Sequence, residues 1–189
     1  MAYNLLQTLK SIRKDYYSVT DLENVSGMDR KSLLVTLNRL AKRGSIIRLF
    51  RGMYQLPDQP ANIPAIATQI YPPAYISFEW ALSKYGILSQ VPYTVTLATP
   101  GKPKKVVIGN IPCEYRRLKP DLFWGFSLQE GVYLAEPEKA LLDQLYLVSL
   151  GKASLDLDSL DLKEIRRTVL RNYMKKYPAA TRSLAQGIV

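Results

Sequence analysis

Apolar residues in the first third of the chain recur at three- and four-residue steps, the repeat of a helix with one buried face. Leu5, Leu6, Leu9 and Ile12 mark a first helix over Asn4–Lys14. Leu33, Leu34, Leu37 and Leu40 mark a second, stronger stripe. That helix opens at Asp29 or Met28, and Gly44 stops it behind the cationic last turn Lys42–Arg43. Between them Tyr16–Val19 reads as a short strand. Thr20, with Glu23 three residues on, has the form of a capping box for a short helix over Asp21–Val25, broken at Ser26–Gly27. After Gly44 the period changes, and Ser45–Phe50 with Met53–Leu56 predict a hairpin turning at Arg51–Gly52. Helix, strand, helix, turn, helix, hairpin is the order of a winged helix-turn-helix.

Two prolines in Pro57–Pro60 bar both helix and central strand, so this stretch reads as a linker. It leads into a helix over Asn62–Tyr71, with Pro64 in its first turn and Pro72–Pro73 at its end. Ser77 is a candidate N-cap for a helix over Phe78–Tyr85, and Gly86 its stop. The pattern then turns β-like. Strands are expected at Tyr93–Ala98, Lys105–Ile108, Ile111–Arg117, Leu122–Phe126 and Gly131–Ala135. Glu136-Pro137-Glu138 opens another helix with acids in its first turn. Asp161 with Glu164 signals a cap for a helix whose inner face is Leu162, Ile165, Val169 and Leu170, with Arg166, Arg167 and Arg171 opposite. A last helix, Ala179–Gln186, follows Pro178 and ends at Gly187. The fold class expected is α+β: a winged helix-turn-helix over residues 1–57, a linker and connecting helix over 58–73, and a mixed α+β domain over 74–189.

Charge sharpens this picture. The chain has 189 residues, a formal charge of +10 and a pI near 9.6, a balance that favours anionic partners. Residues 1–57 hold ten Lys/Arg against four Asp/Glu, while residues 58–189 hold sixteen against twelve, so the excess is denser where the basic helix lies. Histidine is absent, which removes imidazole ligands and every triad with a histidine base, and Cys113 is the single cysteine. No apolar run approaches the roughly 18 residues of a membrane span, and no secretory signal opens the chain. A cytoplasmic protein that is not an enzyme, with no cofactor and no metal, is the expectation.

In a helix-turn-helix the second helix lies in the major groove and its N-terminal half reaches base edges. Arg30, Lys31 and Ser32 are the first candidates, then Val35, Thr36 and Arg39 one turn on; Arg39, Lys42 and Arg43 are placed near phosphates, with Arg48 and Arg51 on the wing. The expected partner is double-stranded DNA bearing an inverted repeat, bound by two copies of the chain. The rival reading is a protein-interaction or RNA-binding module using a winged helix without specific DNA binding. Phe78 and Trp124 are assigned to the core, Cys113 to a buried strand, and Glu136, Glu138 and Asp143 to macrodipole acids instead of an acid/base or metal site. Lys102–Lys105, Arg116–Arg117 and the Arg166, Arg167, Arg171 group are each either a second nucleic-acid contact or plain exposed charge, and the second reading is preferred.

Four segments carry a family resemblance: Glu136–Asp143 (EPEKALLD), Ile76–Gly86 (ISFEWALSKYG), Gln90–Pro92 and the Arg51–Tyr54 wing (RGMY). Together they resemble the AbiEi family of antitoxins and transcriptional regulators, over roughly residues 5 to 150. The resemblance implies an antitoxin of an AbiE-type toxin-antitoxin pair. Its N-terminal winged helix would autorepress the operon, and its C-terminal domain would counter a nucleotidyltransferase-like toxin.

Overall fold

The computed structural model describes residues 2–12 and 14–188. The chain divides into two compact units, Met1–Ile63 with Val107–Asn110, and Pro64–Val106 with Ile111–Val189.

The first unit runs α1 (Ala2–Ile12), β1 (Tyr17–Ser18), α2 (Val19–Ser26), α3 (Arg30–Lys42), β2 (Ile47–Phe50) and β3 (Met53–Gln55). The strands form a small antiparallel sheet in the order β1-β3-β2. Leu5, Leu9, Leu22, Leu33, Leu37, Leu40, Ile46, Tyr54 and Leu56 close one core, and Tyr17 joins it with its hydroxyl donating to the Leu9 carbonyl at 2.6 Å. Leu34 departs from the expected stripe. It is 39% exposed, because Leu33, Leu37 and Leu40 already fill the inward face of α3. The cap of α2 is also displaced. Ser18, not Thr20, is the N-cap; its Oγ accepts from Asp21 N at 3.1 Å, and Asp21 Oδ2 accepts from Ser18 N at 2.8 Å.

The second unit contains the rest: α4 (Ile63–Ile70, shared at its first residue), β4 (Tyr75–Ile76), α5 (Phe78–Lys84), β5 (Val95–Thr99), β6 (Lys104–Ile108), β7 (Ile111–Arg117), β8 (Phe126–Gln129), β9 (Val132–Ala135), α6 (Pro137–Ser149), α7 (Arg167–Met174) and α8 (Ala179–Gln186). Its mixed sheet has the order β6-β7-β5-β4-β9-β8, with β4–β9 and β5–β7 parallel. Helix α6 packs on α5, α7 and α8, and Tyr115 fastens α4 by donating to the Ala67 carbonyl at 2.7 Å.

Two expectations fail here for local reasons. Leu122–Phe126 is not a strand: Pro120–Leu122 is a 3-10 turn, and pairing starts only at Phe126, after Gly125. Asp161 does not cap a helix. It accepts from Lys163 N at 3.1 Å, and α7 begins six residues later. Phe78 is fully buried as expected, whereas Trp124 is only half-buried, its indole N–H donating to the Asp121 carbonyl. Cys113 is buried, and desolvation pushes its thiol up to about 12.

The acids around α6 do more than complement a helix dipole. Glu138 is fully buried and accepts from Arg166 N and Nε, each at 2.9 Å, while Glu136 accepts from the Tyr173 hydroxyl at 2.7 Å. Asp143, one turn beyond buried Lys139, pairs with its ammonium. The same carboxylate accepts from Tyr75 at 2.9 Å, Ser77 at 2.8 Å and Tyr177 at 2.7 Å. Gly125 leaves room for this lysine, since a Cβ there would meet its stem at 3.0 Å. Burial holds the Lys139 ammonium below the usual lysine value, with Asp143 pulling the other way. Every member of this cluster is buried, and its charges and hydroxyls satisfy one another.

Candidate nucleic-acid interface

The turn between α2 and α3 is three residues, Gly27 to Asp29, with Gly27 in the left-handed region and its N–H donating to the Glu23 carbonyl at 2.9 Å. Asp29 then caps α3, its carboxylate accepting from Ser32 N at 3.0 Å. Hydrogen bonds from Ser32, side chain first and backbone second, hold that carboxyl below its usual range. The far end closes as a Schellman motif. Gly44 has φ +69°, Gly44 N donates to Ala41 O, and Ser45 N donates to Leu40 O, each at 3.0 Å. Gly44 thus ends α3 as the sequence implies. It turns the chain into the wing, whose Arg51–Gly52 turn is held by Val19 N donating to Gly52 O at 2.9 Å.

This frame fixes which side chains face out. At about 100° per residue, the side opposite Leu33, Leu37 and Leu40 is centred on Lys31, Val35, Asn38 and Lys42. All four are exposed. Ser32, Arg39 and Arg43 lie along one flank of that face, and Arg30 along the other, beside α2. Arg30 and Arg39, nine residues apart, therefore sit on opposite edges. Arg30 is also engaged, its Nη1 3.2 Å from Glu23 Oε2. Thr36 is half-buried and spends its hydroxyl on the Ser32 carbonyl at 3.0 Å. Arg48 and Arg51 are exposed on the wing. Among the described residues Lys31, Arg39, Lys42, Arg43, Arg48 and Arg51 have no carboxylate within ion-pair distance.

Asn38 is a side chain that reasoning from charge passed over. It sits at the centre of the outward face, and an amide there can donate to and accept from a base edge as readily as an arginine can donate. Its signal was present in the helical period, three residues from Val35 and four from Lys42. No group of metal-binding side chains occurs among the described residues, and no described helix is long and apolar enough to cross a membrane.

No curated protein matches the chain. Residues 4–57, the segment from α1 through the β2–β3 hairpin, match the family model described as transcriptional regulator, AbiEi antitoxin.

Proposed function

We propose that the chain is a DNA-binding regulator that inserts α3 into the major groove and lays the Arg51–Gly52 wing along the backbone. The observation that carries this reading is the outward face of α3. Lys31 and Lys42 flank Val35 and Asn38 there, with no acid paired to either lysine among the described residues. A lysine, an amide and a branched apolar side chain on one face match what base edges offer, namely acceptors on guanine, a donor–acceptor pair on adenine and a methyl on thymine. Arg39, Arg43, Arg48 and Arg51 supply the phosphate contacts that fix register. Arg30 contributes after leaving Glu23, and Ser32 lies beside Arg39 on the same flank.

A module of this size reads few bases, so two copies on an inverted repeat upstream of the chain's own operon are proposed, giving autorepression. The second unit would then counter a nucleotidyltransferase-like toxin, or hold the two copies together. The exposure of Leu34, Val35 and Ile47, at 39%, 47% and 39%, favours the rival reading of a protein-docking winged helix. Selection of bound fragments from the host genome separates the two. A recurrent motif upstream of the operon, lost in an Arg30→Ala/Lys31→Ala/Arg39→Ala triple variant, supports the regulator. Fragments with no common motif would defeat it.

A further inference from the structure

Residues 58–164 hold ten Lys/Arg against twelve Asp/Glu, but residues 165–189 hold six Lys/Arg (Arg166, Arg167, Arg171, Lys175, Lys176 and Arg182) and no acid at all. Four of the ten cations of the earlier stretch form ion pairs among the described residues. Arg116 is clamped by Glu79 and Glu114, Lys105 by Glu114, Lys139 by Asp143 and Lys163 by Asp161. Arg166 joins Glu138. Beyond it the pairing stops. Lys176 stands over the Trp124 ring at 4.2 Å and Arg182 donates to the Tyr177 carbonyl at 3.1 Å. Arg167, Arg171 and Lys175 have no carboxylate partner among the described residues, and all three are exposed.

These three stand at four-residue steps along α7 and its C-cap, so they form one ridge with a rise of about 6 Å per step. Thr168 and Asn172 fill the exposed side beside it, while Leu170 and Met174 anchor the buried side. Such a ridge works against the helix that carries it. Like charges four apart repel, and Arg167 at the first position faces the positive end of the helix dipole. A solvated face selected for solubility interleaves both signs; this one does not.

We infer that the α7 ridge of Arg167, Arg171 and Lys175 is a second phosphate-contacting surface that grips duplex DNA without reading its sequence. A protein partner fits less well, because the exposed side of α7 offers no apolar residue for an interface core. A duplex presents one charge per 1.7 Å of axis, twice the density of a single strand, and rewards a linear cation array most. The choice of DNA rests on the proposed function; the ridge itself does not depend on α3 reading bases.

The test measures Kd against salt for the full chain on its upstream duplex and on a scrambled duplex. The proteins compared are the parent, Arg167→Gln/Arg171→Gln/Lys175→Gln, and a Lys31→Ala/Asn38→Ala/Lys42→Ala variant in α3. Glutamine keeps helix propensity and removes repulsion, so the α7 variant should unfold no earlier than the parent. The expected result is weakening by one common factor on both duplexes, with a log–log salt slope shallower by about 2 to 3. A single Arg171→Gln should shift the slope by about 1. If the parent shows no preference for its upstream DNA yet the α7 effect persists, the regulator reading fails and this inference stands. Unchanged affinity and slope in the α7 variant overturn it. So does dependence on α7 for duplex RNA but not DNA, or competition by poly-glutamate as strong as by duplex.

Discussion

Removing Asp143 should cost more than removing its lysine partner, although the two form one buried pair. Asp143→Leu leaves the Lys139 ammonium with a single oxygen, the Tyr177 hydroxyl at 2.8 Å, and orphans the O–H donors of Tyr75, Ser77 and Tyr177. Breaking a buried pair by losing one member costs about 3–5 kcal/mol, and the stranded hydroxyls push this case to about 5. Lys139→Met leaves a carboxylate that still accepts three hydroxyl hydrogen bonds, so about 3 kcal/mol or less is expected. Against a total stability of about 5–15 kcal/mol, the first variant is close to unfolding and the second is not. The double variant, with no buried charge, should be more stable than Asp143→Leu alone, with a coupling of about 2 kcal/mol or more. Urea unfolding followed by tryptophan fluorescence reads this directly, since both tryptophans, Trp80 and Trp124, lie in the second unit. If Lys139→Met proves the worse single variant, or the two changes simply add, the picture of a carboxylate held by hydroxyls is wrong.

Three further outcomes follow from particular contacts. Ser18→Ala should destabilise the first unit by about 1 kcal/mol through loss of the cap on α2, while Thr20→Ala should change little; thermal unfolding of the two variants checks the assignment. The Cys113 thiol, raised to about 12 by desolvation from an ordinary value near 9.0, should resist alkylation in the native protein at pH 8 and react on unfolding. Because its folded value is the higher one, its share of stability is complete below pH 9 and is lost as pH rises toward about 12, which alkaline unfolding of a Cys113→Ala variant would isolate. Arg51→Ala should weaken specific and scrambled duplex alike and flatten the salt slope by about 1, a loss of discrimination instead marking a base contact.

What the sequence disclosed, it disclosed where a decision is local. The leucine period of α3, the Gly44 stop, the Arg51–Gly52 turn and the Ala179–Gln186 helix depend on neighbours a few residues away, and each is found where the pattern puts it. Caps were harder, because two signals often compete within one turn. Ser18 ends β1 and caps α2 at once, so Thr20–Glu23 is spurious; Arg166 N, at the head of α7, is claimed by Glu138 from 28 residues away, a partner no cap pattern contains. The stripe of four leucines overcounted, since three suffice to close the bundle and Leu34 is left to solvent. Least legible was the Asp143 knot. Its hydroxyl donors lie 68, 66 and 34 residues away, so on the chain it looks like one more acid on a helix. At the interface, charge alone pointed to Arg30, which Glu23 partly neutralises, and missed Asn38, which only the helical period places at the centre.

The central claim is that the outward face of α3 selects a DNA sequence. Its most direct measurement is the affinity of the full chain for its own upstream duplex and for a scrambled duplex at physiological salt, repeated with Lys31→Ala and Asn38→Ala. The account expects the upstream duplex to bind at least about 10³-fold tighter, with each variant costing about 1–3 kcal/mol on it and little beyond a salt-dependent loss on the scrambled one. Equal affinity for the two duplexes, or variants that weaken both alike, would contradict it.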